Sequence, residues 1–369
     1  MVMHLVVPQS LLAEHLQVVV KAIPTKSNIA ASEGFLLECD GEKLILSASN
    51  LEMGLQTQFS VIQTDVGKVV LPAKVVEIIR RLPGDTVHIK VNLENYVTDI
   101  SSGNAEFQVM GLSSEEFPAF PQFDVGEAQY FFHIKAGDLR RALRQTLFAV
   151  SHDEGKPAFT GILFTLRSES LSLSSSDTFR LANTMCPVQN EGATGVFLVP
   201  AKNLQELIRI FTRDEDIISA MVVQNQLLLV SGDIKFSSRL LDENFPNVER
   251  VIPKEFTGKA NINTTIFMQA LERASLLSEG TNHVVRLSIG PDVMVVRASS
   301  KFGKIQEKVP LVLEGEGLEI ALNVRFIIDM LKVNEGEQCL IEITGQNKPC
   351  ILKDSLSPHY LYLVLPIKI

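Results

Sequence analysis

The run His152-Asp153-Glu154, followed by Lys156, puts an imidazole, two carboxylates and an amine close together in the chain. Those groups are the raw material of an acid–base pair. Neighbours in sequence usually point apart, however, and this run closes a helical stretch ahead of a strand, where a solvated turn accounts for it. Metal chemistry has less support. The seven histidines (His4, His15, His88, His133, His152, His283 and His359) show neither HxxxH nor HExxH spacing. The four cysteines (Cys39, Cys186, Cys339 and Cys350) lie far apart with no CxxC pair, which suggests neither a zinc site nor a disulfide framework. Neither a G-x-S-x-G elbow nor a phosphate-binding G-x-x-x-x-G-K-[ST] loop occurs. The residue types favour binding over catalysis, with no metal and no cofactor expected.

Binding chemistry resides in the basic residues. Six segments of helical apolar spacing, 9–22, 73–82, 137–149, 201–213, 264–277 and 323–332, hold thirteen basic and six acidic residues. That is a net +7 inside a chain whose total is −9. Lys74 and Arg81, like Lys202 and Arg209, are seven apart and share a helical face, as do Arg140 and Arg144 at four apart. On a single helix such residues mean only a solvated surface. Recurring on six helices within an acidic remainder, they suit a protein that holds a polyanion on one face. Phosphate contacts of that kind ignore base sequence and weaken with salt. Few aromatics lie among them, so base stacking is not the implied mode. The net charge taken alone argues against a basic nucleic-acid binder, but it conceals this distribution.

The elements that position these residues come in three similar copies. Each copy opens with a short strand and an amphipathic helix. Leu12, Leu16 and Val19 follow Ser10; Leu139, Leu143 and Leu147 follow Asp138; Phe267, Leu271 and Ala274 follow Thr264-Thr265. Ser10, Asp138 and Thr264 are the expected N-caps. A strand pair comes next, over 34–38 and 44–47, 161–165 and 171–174, and 285–288 and 294–297. A second helix begins near Lys74, Lys202 and Arg325. Lys74 and Lys202, Leu112 and Leu240, and Phe117 and Phe245 all share an offset of 128 positions. Further strands fill each copy: Val87, Ile89 and Val91 alternate with polar residues, as a half-buried antiparallel strand should. The tail Tyr360–Leu365 also reads as strand.

Proline-rich joints at Phe117–Pro121 and Phe245–Pro253 mark domain boundaries, giving expected domains 1–125, 126–252 and 253–369. The fold class is therefore α+β, with two helices packed on antiparallel sheet in each copy. A chain of 369 residues with 46% hydrophobic and 21% charged residues fits a soluble protein of two or three domains. No apolar run approaches the roughly 18 residues of a membrane span, and the start Met1-Val2-Met3-His4-Leu5 does not read as a secretory signal. Scattered cysteines fit a reducing, cytoplasmic compartment.

Four stretches carry a family resemblance: Phe148-Ala149-Val150-Ser151-His152-Asp153-Glu154, Ser176-Asp177-Thr178-Phe179-Arg180-Leu181-Ala182, Phe245-Pro246-Asn247-Val248-Glu249-Arg250-Val251-Ile252-Pro253, and the ending Leu365-Pro366-Ile367-Lys368-Ile369. With the triplication, they resemble the bacterial DNA polymerase III beta subunit family, the sliding clamps, over essentially the whole chain. The resemblance implies three tandem clamp domains and a head-to-tail homodimer closing a six-domain ring around duplex DNA. It also implies a processivity role, tethering the replicative polymerase. Lys26, Lys74, Arg80, Arg81, Arg140, Arg141, Arg144, Lys202 and Arg209 then become the DNA-facing set.

In this family a pocket between the second and third domains receives a short peptide carried by polymerases, the clamp loader and repair proteins. By position it is built here from Phe159, Thr178, Phe179, Arg180, Leu181, Pro246, Arg250, Val251, Leu365, Pro366 and Ile367. Apolar residues would hold Leu or Phe anchors, and Arg180 and Arg250 would orient backbone or carboxylate groups. The subunit contact would set Phe107 and Val109 against Leu276 and Leu277. Lys26 stands where members often have Arg, Phe179 where some have His or another polar residue, and Asn50 where Asp is frequent. Two rival functions are a clamp-fold scaffold that no longer loads on DNA, and a hydrolase using His152 and Asp153.

Overall fold

The computed structural model describes residues 2–61, 63–122, 124–278, 280 and 283–368, so Met1 and Ile369 lie outside the described residues. The triplication is present in the following ladders, each antiparallel. In the first copy Gly34–Cys39 lies between Lys43–Ser49 and Gly67–Pro72. In the second, Gly161–Leu166 lies between Ser170–Ser176 and Gly195–Pro200. In the third, Val284–Ile289 lies between Val293–Ser300 and Glu319–Asn323. The opening strands Val2–Pro8, Tyr130–Lys135 and Gly258–Asn263 pair with Thr86–Asn92, Ile217–Val223 and Gln338–Ile343. Each copy then continues through two more strands. These are Val97–Ser102 and Ala105–Met110, Gln226–Ser231 and Ile234–Arg239, and Cys350–Asp354 and Ser357–Val364.

One rule joins the copies. The last strand of the second copy, Ile234–Arg239, pairs with the fourth strand of the first, Met53–Ser60. The last strand of the third, Ser357–Val364, pairs with the fourth strand of the second, Arg180–Pro187. Strand edges are thus completed by the following copy, which removes the bare N–H and C=O groups an edge would present. The chain accordingly packs as two compact units, Met1–Ala136 with Arg209–Leu240, and Gly137–Ile208 with Leu241–Ile369. The middle copy contributes to both, because its outer strands join ladders with the first copy and its inner strands join ladders with the third. In the second unit the result is a 12-stranded sheet running from Gly195–Pro200 to Glu319–Asn323.

Seven α-helices are described: α1 (Gln9–Val19), α2 (Lys74–Arg80), α3 (Ala136–Leu147), α4 (Ala201–Leu204), α5 (Leu207–Ile210), α6 (Thr264–Ser275) and α7 (Val324–Leu331). Their apolar stripes face the sheets as the spacing requires. Leu12, Leu16 and Val19 are buried, and so are Phe267, Leu271 and Ala274. In α3 Leu139 and Leu143 are buried, but the third place on the stripe goes to Thr146, whose Oγ1 donates back to the Ala142 carbonyl at 2.8 Å, while Leu147 is half-buried.

The expected caps are not those used. α1 starts directly after Pro8, whose fixed φ sets the entry, and Ser10 lies inside the helix. Asp138 also lies inside, in the first turn of α3, where it pairs with Arg141. α6 is capped one residue earlier than expected, by Asn263, whose side chain accepts the Ile266 N–H at 3.0 Å. The helix expected over 201–213 is broken between Leu204 and Leu207, so Lys202 and Arg209 do not share one continuous face.

Gly34 starts the central strand of the first copy, where a Cβ would come within 2.3 Å of the Leu71 carbonyl oxygen. Its counterpart Gly161 faces only the flexible side chains of Leu198 and Leu241. Gly34→Ala must move backbone and should cost about 2 kcal/mol or more in urea unfolding, with Gly161→Ala costing less. Equal costs would show that the strand relaxes freely at Gly34.

Candidate functional site

After Ser170–Ser176 the chain reverses through Asp177-Thr178-Phe179. Asp177 Oδ1 accepts the backbone N–H groups of Phe179 at 2.9 Å and Arg180 at 3.0 Å, and Ser176 Oγ accepts that of Thr178 at 3.1 Å. These bonds hold Thr178 at φ 79°, a left-handed conformation that a β-branched residue keeps only when its surroundings enforce it. The turn leaves Phe179 60% exposed. The first copy builds the same turn, with Asn50 Oδ1 accepting from Glu52 and Met53 and Leu51 held at φ 73°. Asn and Asp serve alike because the turn needs only one side-chain oxygen.

Beside the turn lies a cavity of about 200 Å³. Leu181 and Leu363, which face each other across the junction ladder, line it and belong with Ile351 to one buried apolar cluster. Phe159 and Phe245 form an aromatic wall, their ring centroids 5.5 Å apart. Ser176, Thr178, Phe179, Arg180, Pro246, Asn247, Val248, Val251 and Leu365 complete the lining. An apolar hollow with a few polar atoms at its margin suits the anchoring side chains of a short peptide.

Eight of the residues expected here are therefore gathered: Phe159, Thr178, Phe179, Arg180, Leu181, Pro246, Val251 and Leu365. Arg250, Pro366 and Ile367 are not among the lining residues. Arg250 ends the short turn Val248–Arg250 and is exposed. The tail is tied into backbone on both sides of Pro366, with Leu365 N–H donating to the Phe179 carbonyl at 2.9 Å and Ile367 N–H to the Ala321 carbonyl at 2.8 Å. Sequence reasoning missed Ser176, Phe245, Asn247, Val248 and Leu363. The offset of Phe245 from Phe117 was a signal for that residue; Leu363 is reached only through the long-range strand pairing.

Arg180, which lines the cavity, is also held from within the protein. Its Nε lies 2.8 Å from Asp177 Oδ2 and its Nη1 2.8 Å from Asp329 Oδ2, and only 10% of the side chain is exposed. The guanidinium carbon sits 4.3 Å from the centroid of the Phe326 ring and 5.6 Å from that of Phe148. Burial works against the charge, but Tyr362 and the two carboxylates more than offset it and raise the pKa above its ordinary value. Tyr362, fully buried, donates to the Phe326 carbonyl at 2.9 Å. Arg180 thus ties the third copy to the pocket's turn, and its cation is already matched by two carboxylates.

Of the basic residues, Lys26 is exposed in the loop after α1, and Lys74 and Arg80 are exposed on α2 with Arg81 just past its end. Glu77 lies 2.8 Å from Arg80 and 3.6 Å from Arg81, in exposed pairs worth little. On α3, Arg141 is paired with Asp138, Arg140 is half-buried and Arg144 is exposed. Lys202 on α4 and Arg209 on α5 are not buried against the sheet in the way of the apolar residues beside them: both are exposed.

The candidate catalytic run is a turn. Asp153 Oδ1 accepts the Gly155 N–H at 2.9 Å, and His152 is exposed. The four cysteines are buried, and burial pushes the thiols of Cys186 and Cys350 up to about 12, which suppresses the reactive thiolate. Among the described residues no three His, Cys, Asp or Glu side chains are grouped to hold a metal ion, and no helix is long and apolar enough to cross a membrane.

Models of the N-terminal, central and C-terminal domains of the DNA polymerase III beta subunit match residues 3–121, 133–247 and 249–368. The chain belongs to the DNA polymerase III beta subunit family. Within that family it is 33% identical over 382 residues to the beta sliding clamp of Halalkalibacterium halodurans, covering 99% of this chain and 100% of that protein. It is 31% identical over 360 residues to the beta sliding clamp of Staphylococcus aureus, covering 94% of each. The crystal structure of the Bacillus subtilis DNA polymerase sliding clamp superposes with a TM-score of 0.94 at 29% identity, covering 100% of this chain and 99% of that one. Three tandem clamp domains of antiparallel sheet and helix are thus the fold of this beta-subunit relative.

The buried cation yields a direct test. Arg180→Leu keeps an apolar stem but leaves Asp177 and Asp329 without their partner, and should cost about 2–4 kcal/mol in denaturant unfolding. A loss below about 0.5 kcal/mol would mean that the two carboxylates are solvated and the cluster contributes nothing.

Proposed function

We propose that two copies of this chain close head to tail into a ring that encircles duplex DNA and holds the replicative polymerase to it. The family and fold are those of a DNA sliding clamp, a replication protein. Three domains per chain, 1–125, 126–252 and 253–369, would make a six-domain ring in two copies. The observation that carries this reading is the junction rule and the place where it is left unfulfilled. Among the described residues the last strand of the first copy, Ala105–Met110, ends its sheet, and the first part of the fourth strand of the third copy (Gly303–Gly315) pairs on one side only, with Val293–Ser300.

Phe107 faces Ile100 as Phe236 faces Leu229 one copy on. Phe236 and its third-copy counterpart Tyr362 are completely buried at the two internal junctions, whereas Phe107 is 41% exposed. A second chain supplying the missing strand would bury it, with Val109 beside it and Leu276 (81% exposed) and Leu277 opposite. Each chain has one donor edge and one acceptor edge, so two chains satisfy both and the assembly closes.

Lys26, Lys74, Arg80, Arg81, Arg140, Arg141, Arg144, Lys202 and Arg209 would face the enclosed duplex. Their contacts would be electrostatic and independent of base sequence. Topological linkage needs no tight binding, and loose contact permits sliding. The apolar pocket beside Thr178 would take a short peptide from the polymerase, the clamp loader and repair proteins. Arg250, Pro366 and Ile367 would extend the peptide's track beyond the hollow itself. Such a clamp works without a reaction, metal or cofactor of its own, and its place of action would be the cytoplasm, where replication occurs. No observation favours a scaffold that never loads on DNA, or hydrolysis by His152 and Asp153.

Phe107→Asp and Phe179→Ala separate the two surfaces. Sedimentation of Phe107→Asp should show dimer association weakened about 100-fold or more, with peptide binding retained. For Phe179→Ala, fluorescence titration with a polymerase-derived peptide should show about tenfold weaker binding and an unchanged dimer. An unaltered dimer in the first variant, or unaltered peptide affinity in the second, would contradict the corresponding surface.

A further inference from the structure

The two open strand edges carry opposite charge at positions that the internal junctions specify. At the first junction Phe236 lies opposite Leu55 and Lys235 opposite Gln56; at the second, Tyr362 lies opposite Ala182 and Leu361 opposite Asn183. The ladders within each copy make Gln56, Asn183 and Gln306 equivalent, facing Ser47, Ser174 and Arg297 respectively. Carrying that register to the open edges sets Phe107 of one chain opposite Ile305 of a second copy, and Glu106 opposite Gln306. Lys304 and Lys308 then become the diagonal neighbours of Glu106 on the same face, within reach of long side chains.

Glu106, Lys304 and Lys308 are all exposed, and among the described residues none of the three forms an ion pair. Behind each edge stands a residue of the same sign, itself facing an opposite charge: Lys90 lies across from Asp99, and Glu319 Oε2 is 3.8 Å from Arg297 Nη1. Asp99 is beside Glu106 and accepts from Gln108 at 2.9 Å, and Arg297 lies behind Gln306, donating to it at 3.0 Å. The internal junctions have no such pattern. Gly54 and Gln58 occupy the two lysine positions at the first, and Leu181 and Met185 at the second.

We infer that the seam between two copies of this chain is charge-coded, with Glu106 of one copy seated between Lys304 and Lys308 of the other. The inference rests on the head-to-tail ring proposed for this chain and deepens it. Internal junctions are held in place by the chain itself and need no code, whereas open edges must find their partner and their register from solution. Opposite charges favour the unlike pairing and set the register. They also disfavour pairing of two first-copy edges or two third-copy edges, which would bring like charges together. Lysines on a bare edge are also a common guard against stray strand pairing, and the experiment must distinguish that role.

The test compares sedimentation of the full-length chain, Glu106→Lys, Lys304→Glu/Lys308→Glu, and the triple variant combining them, at low and high salt. Each substitution acts at both seams of the pair. Glu106→Lys and the double variant should each weaken the dimer about tenfold at low salt and less at high salt. The triple variant, with the charges exchanged, should return to within about threefold of wild type. Weakening that adds up in the triple variant, or no change in any variant, would overturn the charge code and leave the lysines as edge guards. A wild-type chain that stays monomeric at every concentration would instead overturn the head-to-tail ring itself.

Discussion

The ladder between the last strand of one copy and the fourth strand of the copy before it governs how this chain is built. It draws Ile234–Arg239 onto Met53–Ser60 and Ser357–Val364 onto Arg180–Pro187. A bare edge exposes a row of hydrogen-bonding groups that will pair with whatever is offered. Covering each edge with the next copy turns that hazard into the means of assembly. The same ladder fixes which side chains meet. It buries Phe236 and Tyr362, brings Leu181 to Leu363, and places Arg180 on the ladder where Asp177 and Asp329 can reach its guanidinium. The apolar cavity is a by-product of the second junction, opening where the Thr178 turn stands clear of the ladder.

Charge follows the opposite logic. The junctions are apolar or internally matched, while Lys74, Arg144 and Lys202 stand in solvent on their helices. Long side chains with aliphatic stems hold the positive charge on short helices without disturbing the apolar faces beneath. Such a surface attracts phosphate without fixing it in register, which is what movement along a duplex requires. In the proposed ring, strength would be needed where strands join and weakness where the protein meets DNA.

Much of this was legible in the sequence because it is periodic. The offset joining Lys74 to Lys202 and Phe117 to Phe245 reports the triplication, and the alternation of Val87, Ile89 and Val91 reports a one-sided strand. Local competition between caps was not legible. Pro8 and Asn263 start helices that Ser10 and Thr264 could equally have started, and the break at Gln205-Glu206 leaves no mark in the apolar pattern. The least legible feature was the state of a charge. Arg180 sits in a stretch that reads as a binding loop, and only the fold brings Asp329, far along the chain, within 2.8 Å of it. Leu363 entered the pocket for the same reason, since cross-copy pairing brings it opposite Leu181.

The proposed hold on DNA is topological: the protein stays on the duplex because it surrounds it. Labelled protein would be incubated with nicked circular duplex, a clamp loader shown to work with another clamp, and ATP. The mixture would then be passed through a gel-filtration column before and after the circle is cut. Retention on the circle and loss from the linear form is the predicted result, because a closed ring can leave only over an end. Equal retention on both forms would mean side-on binding and would contradict the ring.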